Sequence, residues 1–165
     1  MSVGKGGTIT APMPLFNMAD LRAGLARGRR LIGIDPGGKR VGVALSDAGL
    51  MLASPYGVLP RGKLRQIAAE LQALARREEA GGLVVGWPLN LDGTVGPAAQ
   101  AARDWAGDLS LAVGLPAALW DERLSSATVN DAMTELLGLS REKRAARVDA
   151  AAAACILQAA LDATA

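Results

Sequence analysis

The run Leu31-Ile32-Gly33-Ile34-Asp35-Pro36-Gly37-Gly38-Lys39-Arg40-Val41-Gly42-Val43-Ala44-Leu45-Ser46-Asp47 leaves the chain few choices. Two short apolar segments with β-branched residues flank a Pro-Gly-Gly turn, the pattern of a buried β-hairpin. Asp35 stands where the first strand runs out. A carboxylate at the edge of an apolar strand is costly to desolvate unless it meets a cation, a metal or a hydrogen-bond donor. Asp before Pro-Gly is also ordinary turn chemistry, so the hairpin alone leaves both roles open.

The remaining elements decide what surrounds it. Residues 1–17 lack periodicity and are expected to form a flexible leader, with a short helix over 18–27 capped by Asn17. The whole segment 1–28 is set apart from a single domain spanning 29–165. Met51 to Val58 is expected as a third strand, completing an antiparallel meander. Leu64 to Glu79 carries an amphipathic helical period, with Leu64, Ile67, Leu71 and Leu74 on one face, closed by Gly81-Gly82. Leu83 to Gly86 is a wholly apolar strand, Pro97 to Leu109 a helix, and Pro116 to Trp120 a fifth strand. Ser125 or Ser126 caps a helix to Leu137, with Gly138 at its C-terminus. Ser140 to Arg147 reads as a basic connector, and Val148 to Ala163 as a helix apolar on nearly every side and therefore buried. The expected class is α/β: a five-stranded mixed sheet, three strands in a meander and two parallel, flanked by helices on both faces.

Composition excludes several chemistries. The 165 residues contain no histidine and one cysteine, Cys155. Ser-His-Asp and Cys-His catalysis and a zinc site are thereby ruled out. Cys155 lies in an Ala-rich apolar run and is expected as a small core residue in a reducing compartment. A metal here would be hard and held by carboxylates, hence Mg2+ or Mn2+. No apolar run is long enough to span a bilayer, and no basic segment precedes an apolar core at the N-terminus, so a cytoplasmic location is expected. With 18 basic and 16 acidic residues, the net charge of +2 neither demands nor excludes a nucleic-acid partner.

Three acidic residues fall at element ends that this architecture brings to one edge. Asp35 ends the first strand, Glu122 follows the fifth, and Asp149 lies in the first turn of the last helix. Ligands of open α/β sheets gather at the carboxyl ends of parallel strands. Asp149 is also favoured there by the helix dipole, yet its Ala-rich surroundings make an isolated carboxylate expensive. Three carboxylates at one edge repel each other unless a divalent cation sits between them, which is the composition of a two-metal phosphodiester site. Asp121 points to the other face of its strand from Glu122, capping the next turn or pairing with Arg123.

Four ordered motifs resemble those of the YqgF/RuvX family, RNase H-like proteins named as Holliday junction resolvases or pre-16S rRNA nucleases. They are Ile34 to Asp47, Val84-Val85-Gly86-Trp87-Pro88-Leu89-Asn90-Leu91-Asp92-Gly93-Thr94, Asp121-Glu122-Arg123-Leu124-Ser125-Ser126, and Val148-Asp149-Ala150-Ala151-Ala152-Ala153 with Ile156-Leu157-Gln158. The resemblance implies an RNase H-like fold and a Mg2+- or Mn2+-dependent endonuclease whose acidic triad is Asp35, Glu122 and Asp149. In the related junction resolvases an acidic residue follows the fourth strand. Here Gly86-Trp87-Pro88 stands in that place, with Asn90 and Asp92 further along.

The supporting residues have physical readings of their own. Gly37 and Gly38 allow a phosphate to approach the backbone, and Lys39 and Arg40 supply charge beside it. Arg123 is expected on the scissile phosphate or in a salt bridge with Asp121. Lys143, Arg144 and Arg147 contact a nucleic-acid backbone or form a solvated charged face. Trp87 stacks on a base or packs its loop. The expected activity is hydrolysis of phosphodiesters in structured RNA, at the 5′ end of pre-16S rRNA within ribosomal precursor particles. Branched DNA resolution and a non-catalytic binding module are the alternatives, by a monomer or a homodimer. An actin-like ATPase fragment is disfavoured, because no second Gly-rich hairpin is present.

Overall fold

Strand parity sorts the apolar residues of the sheet into two sets, one for each covering layer. The computed structural model describes residues 15–37, 39–124 and 140–165. Gly38 and the expected helix from Ser125 to Leu137, with its caps and Gly138, lie outside the described residues. The sheet contains β1 (Arg30–Pro36), β2 (Arg40–Ser46), β3 (Ala53–Pro60), β4 (Ala80–Trp87) and β5 (Ala117–Asp121) in the order β3-β2-β1-β4-β5. β1, β2 and β3 pair antiparallel, and β4 and β5 join parallel to β1. The meander and the two parallel strands are those expected. β3 runs to Pro60, two residues beyond its expected end, because its ladder with β2 continues until Pro60 faces Arg40.

One face carries Ile32, Ile34, Val41, Val43, Leu83 and Val85 under helices α2 (Leu64–Glu78) and α3 (Pro97–Val113). Leu71 and Leu109 are fully buried there, and such side chains each contribute about 1.5–3 kcal/mol through burial. The other face carries Leu31, Ala44, Val84 and Ala118 under α4 (Arg141–Ala163) and the short α1 (Met18–Ala23). α4 lies close to the strands because Gly33 and Gly42 leave room. A Cβ at Gly33 would sit 2.8 Å from Leu157 Cβ, and one at Gly42 would overlap the Asp149 carbonyl oxygen.

Four details depart from the sequence reading. α2 is closed by Glu79 in the left-handed region at φ 58°, not by Gly81-Gly82. Those glycines lie inside β4, where a Cβ would meet Leu25 at 2.8 Å and Leu31 at 2.9 Å. α1 is docked: Met18 and Leu21 are buried, and Phe16 bridges to Ala118 of β5. Ser140 to Arg147 is no connector; Ser140 caps α4 by accepting from the Lys143 N–H, and the basic residues form its first two turns. The buried positions of α4 fall on one side, with Ala151, Ala152 and Cys155 only half-buried. No helix among the described residues is long and apolar enough to cross a membrane.

Candidate active site

Asp35 follows Leu31 and Gly33 on the α4 side of β1, since alternate strand residues share a face. Its cross-strand partner is Gly42 of β2, the residue on which the Asp149 main chain rests. On the other side the register pairs Ile34 with Val85, placing Gly86 of β4 level with Asp35. Gly86 in turn pairs with Trp120 of β5, two residues before Glu122, which opens a 3₁₀ turn. The ends of β1 and β5 and one point on α4 therefore deliver all three acids to the same sheet edge.

Asp35 and Glu122 are hydrogen-bonded to each other. Burial, followed by the Asp35 charge and that hydrogen bond, pushes Glu122 up to about 7. Burial also raises Asp35, against the lowering effect of the Glu122 hydrogen bond, while the Asp149 charge adds to the rise. Burial and mutual repulsion thus favour the state in which the two carboxyls hold one proton between them. Two half-buried carboxyls held together by one proton form a pair that a cation can stabilise in its place.

Asp149 stands differently from the sequence expectation. It falls in the third turn of α4, beyond the first turn where the helix dipole acts. Its Oδ2 accepts from Arg40 Nε at 2.8 Å, in an ion pair whose side chains are 29% and 31% exposed. As placed, no group of three or more acidic or cysteine side chains among the described residues encloses an ion position. The donor set fits a hard divalent ion, being carboxylate oxygen alone, once Asp149 leaves Arg40.

Basic residues flank these acids. Lys143, Arg144 and Arg147 are exposed at the start of α4, which continues past the acidic edge because Asp149 is the ninth residue of the helix. Lys39 is exposed and Gly37 half-buried at the β1–β2 turn. Arg123 is engaged elsewhere than on the expected phosphate site. Its Nε donates to Asp121 Oδ2 at 2.9 Å and its Nη1 to the Leu91 carbonyl at 2.9 Å. The Arg123 guanidinium holds Asp121 below the ordinary carboxylate range. Trp87 packs its loop, donating from Nε1 to the Ala99 carbonyl at 2.9 Å. Asp92 is occupied as a turn former, accepting from Thr94 N at 2.9 Å.

The order of these elements and their acidic edge meet a matching set of relatives. A family model described as RuvX, Holliday junction resolvase, matches residues 29–163. The chain belongs to the RuvX family. A protein of Gluconacetobacter diazotrophicus named "Putative pre-16S rRNA nuclease" is 60% identical over 93% of this chain and 99% of its own length. One of the same name from Acidiphilium cryptum is 57% identical over 91% of this chain and 94% of its own. Among solved structures, T. thermophilus RuvC in complex with a Holliday junction substrate superposes with a TM-score of 0.50 at 17% identity, covering 78% of this chain and 91% of that one. That likeness shows the fold, and the fold is RNase H-like, as the motifs implied.

In this RuvX chain Gly86 lies against the side-chain ends of Glu122 and of Ile156 on α4. A Cβ on Gly86 would fall 2.6 Å from Glu122 Oε1 and 2.8 Å from Ile156 Cδ1. Glu122 fills the volume that a side chain on β4 would need. Sequence reasoning passed over Arg61, which follows β3. Its Nη1 donates to the Gly37 carbonyl at 2.6 Å, its backbone N–H to the Lys39 carbonyl at 3.1 Å, and its guanidinium lies 5.2 Å from the Trp105 ring centre. Arg61 thereby ties both flanks of the β1–β2 turn to α3. The only sequence signal was a basic residue in a Pro-Arg-Gly turn.

Proposed function

We propose that this RuvX chain is a Mg2+- or Mn2+-dependent endonuclease of the cytoplasm that hydrolyses phosphodiester bonds in structured RNA, with pre-16S rRNA as its substrate. The observation that carries this reading is the proton-sharing Asp35–Glu122 pair beside Asp149, at an edge flanked by the basic start of α4. Asp35, Glu122 and Asp149 would hold the metal, which when bound activates a water and neutralises charge on the leaving oxygen.

The chain's own residues supply the rest. Lys143 and Arg144 hold the backbone of the strand through charge, without reading its sequence. A phosphate comes to lie between β1 and β2 beside Gly37 and Lys39, with Gly38 assigned to the same contact from the sequence motif, and Arg40 stands between Lys39 and Asp149. Arg123 keeps the Trp87–Thr94 loop against β5 and so keeps Glu122 on its short turn. The high identity to relatives named for pre-16S rRNA supports RNA over DNA.

The test is cleavage of a ribosomal precursor RNA and of a four-way DNA junction under matched Mg2+ and Mn2+, with Asp35→Asn as control. Metal-dependent cutting of the RNA alone supports the proposal. Cutting of the junction alone replaces the substrate with branched DNA. Cutting of neither leaves a nucleic-acid-binding module in place of an enzyme.

A further inference from the structure

The Arg40–Asp149 pair shares one guanidinium between two anions that the site needs at different moments. With Arg40 on Asp149, the three acids do not enclose an ion position, although the Asp149 charge is felt at Asp35. The main chain of Asp149 has no freedom to help, because its carbonyl oxygen rests on β2 where only Gly42 leaves space. The helix cannot move closer to β2, so the side chains of Asp149 and Arg40 are the parts free to rearrange. Both are about one-third exposed, and an ion pair so exposed is weak and readily exchanged. A phosphate is a better partner for a guanidinium, since its oxygens accept the two parallel hydrogen bonds of the planar fork.

We propose that Arg40 is a positioning residue that couples nucleic-acid binding to metal binding: it holds Asp149 off the ion site until a backbone phosphate takes its guanidinium and frees the carboxylate. This rests on the reading of Asp35, Glu122 and Asp149 as metal ligands. Linkage makes the coupling reciprocal, so nucleic acid tightens the metal by the factor by which the metal tightens nucleic acid. In the free protein the ion site stays incomplete, and single-stranded or duplex nucleic acid completes it by contributing charge at the turn after β1.

Mn2+ binding to the full chain, followed by the paramagnetic resonance of free Mn2+, tests the coupling without any cleavage. In the absence of nucleic acid, Arg40→Gln is expected to bind Mn2+ about fivefold or more tightly than the unsubstituted chain. Arg40→Lys keeps the charge but loses the fork, is the milder change for folding, and is expected to fall between them. A phosphorothioate RNA stem-loop, corrected for Mn2+ held by the RNA itself, is expected to tighten Mn2+ on the unsubstituted chain and not on Arg40→Gln. In an Asp149→Asn background the gain from Arg40→Gln is expected to vanish. Persistence of that gain would mean that Arg40 acts on the metal through its charge alone, and would overturn the coupling. Equal or weaker Mn2+ binding by Arg40→Gln would overturn it as well, with the ligand assignment intact. Absence of Mn2+ binding by the unsubstituted chain and by both Arg40 variants would remove the ligand assignment and the coupling together.

Discussion

The carboxylate of Glu122 occupies the space that any side chain at position 86 would require, 2.6 Å from where a Cβ would be built. Gly86→Ala is therefore expected to push Glu122 away from Asp35. Overpacking of this kind costs about 1–3 kcal/mol, and a displacement near 1 Å at a reacting centre costs about 100-fold in rate. Cleavage rate and thermal unfolding measured together check this, with a loss of rate much larger than the loss of stability expected.

Glu122 titrates at about 7 in the fold, well above an ordinary glutamate. The folded state thus keeps a proton that the unfolded chain has already released, and stability falls as pH rises between about 4.5 and 7. The full benefit is present below the unfolded value and lost above the folded one. Melting temperature in the absence of divalent ions is expected to drop as pH rises across this window. Glu122→Gln should flatten the profile.

Asp35→Asn removes one of two repelling charges and also one metal ligand. Its cleavage should fall to background while the metal-free protein becomes more stable at pH 8 than the unsubstituted chain. Mn2+ should raise the melting temperature of the unsubstituted protein and leave that of Asp35→Asn nearly unchanged. Calorimetric scans with and without the ion check both halves.

Lys143→Ala with Arg144→Ala removes two exposed charges from the start of α4. RNA binding should weaken, and the slope of log affinity against log salt should lessen by about 1.4 if both charges contact single-stranded phosphates. A salt titration of RNA affinity measures it directly, with melting temperature as the control for folding.

Arg61→Ala removes a hydrogen bond to the Gly37 carbonyl and a stack on Trp105. The β1–β2 turn should open more often, with faster hydrogen exchange at Lys39 and Arg40 than in the unsubstituted protein. A loss of about 1–2 kcal/mol confined to this turn is expected, and exchange at β4 should not change.

The sheet was legible because its evidence is local. Short apolar runs, broken by Gly and Pro, place β1, β2, β4 and β5, and an acid at a strand end marks Asp35 and Glu122. Elements whose reason is distant were misread. Gly81-Gly82 looks like a helix stop, but these residues are small to admit side chains of the α1 segment and of β1. Ser140 to Arg147 has no apolar period because those turns extend beyond the sheet and have little to bury. Arg40 and Asp149 meet across 109 residues of chain, a separation over which neither composition nor spacing carries information. The Arg61–Trp105 stack is of the same kind.

That α4 is one uninterrupted helix from its basic start through Asp149 makes it a ruler. Arg144 and Asp149 are five residues apart on it, an axial rise of about 7.5 Å with the two positions turned about 140° from each other around the axis. Any group held at the basic start of α4 is therefore fixed in distance and angle relative to Asp149 by the pitch of the helix. A single residue inserted between the two would turn the basic start of the helix by about 100° relative to Asp149 and leave Asp149 in its place against β2.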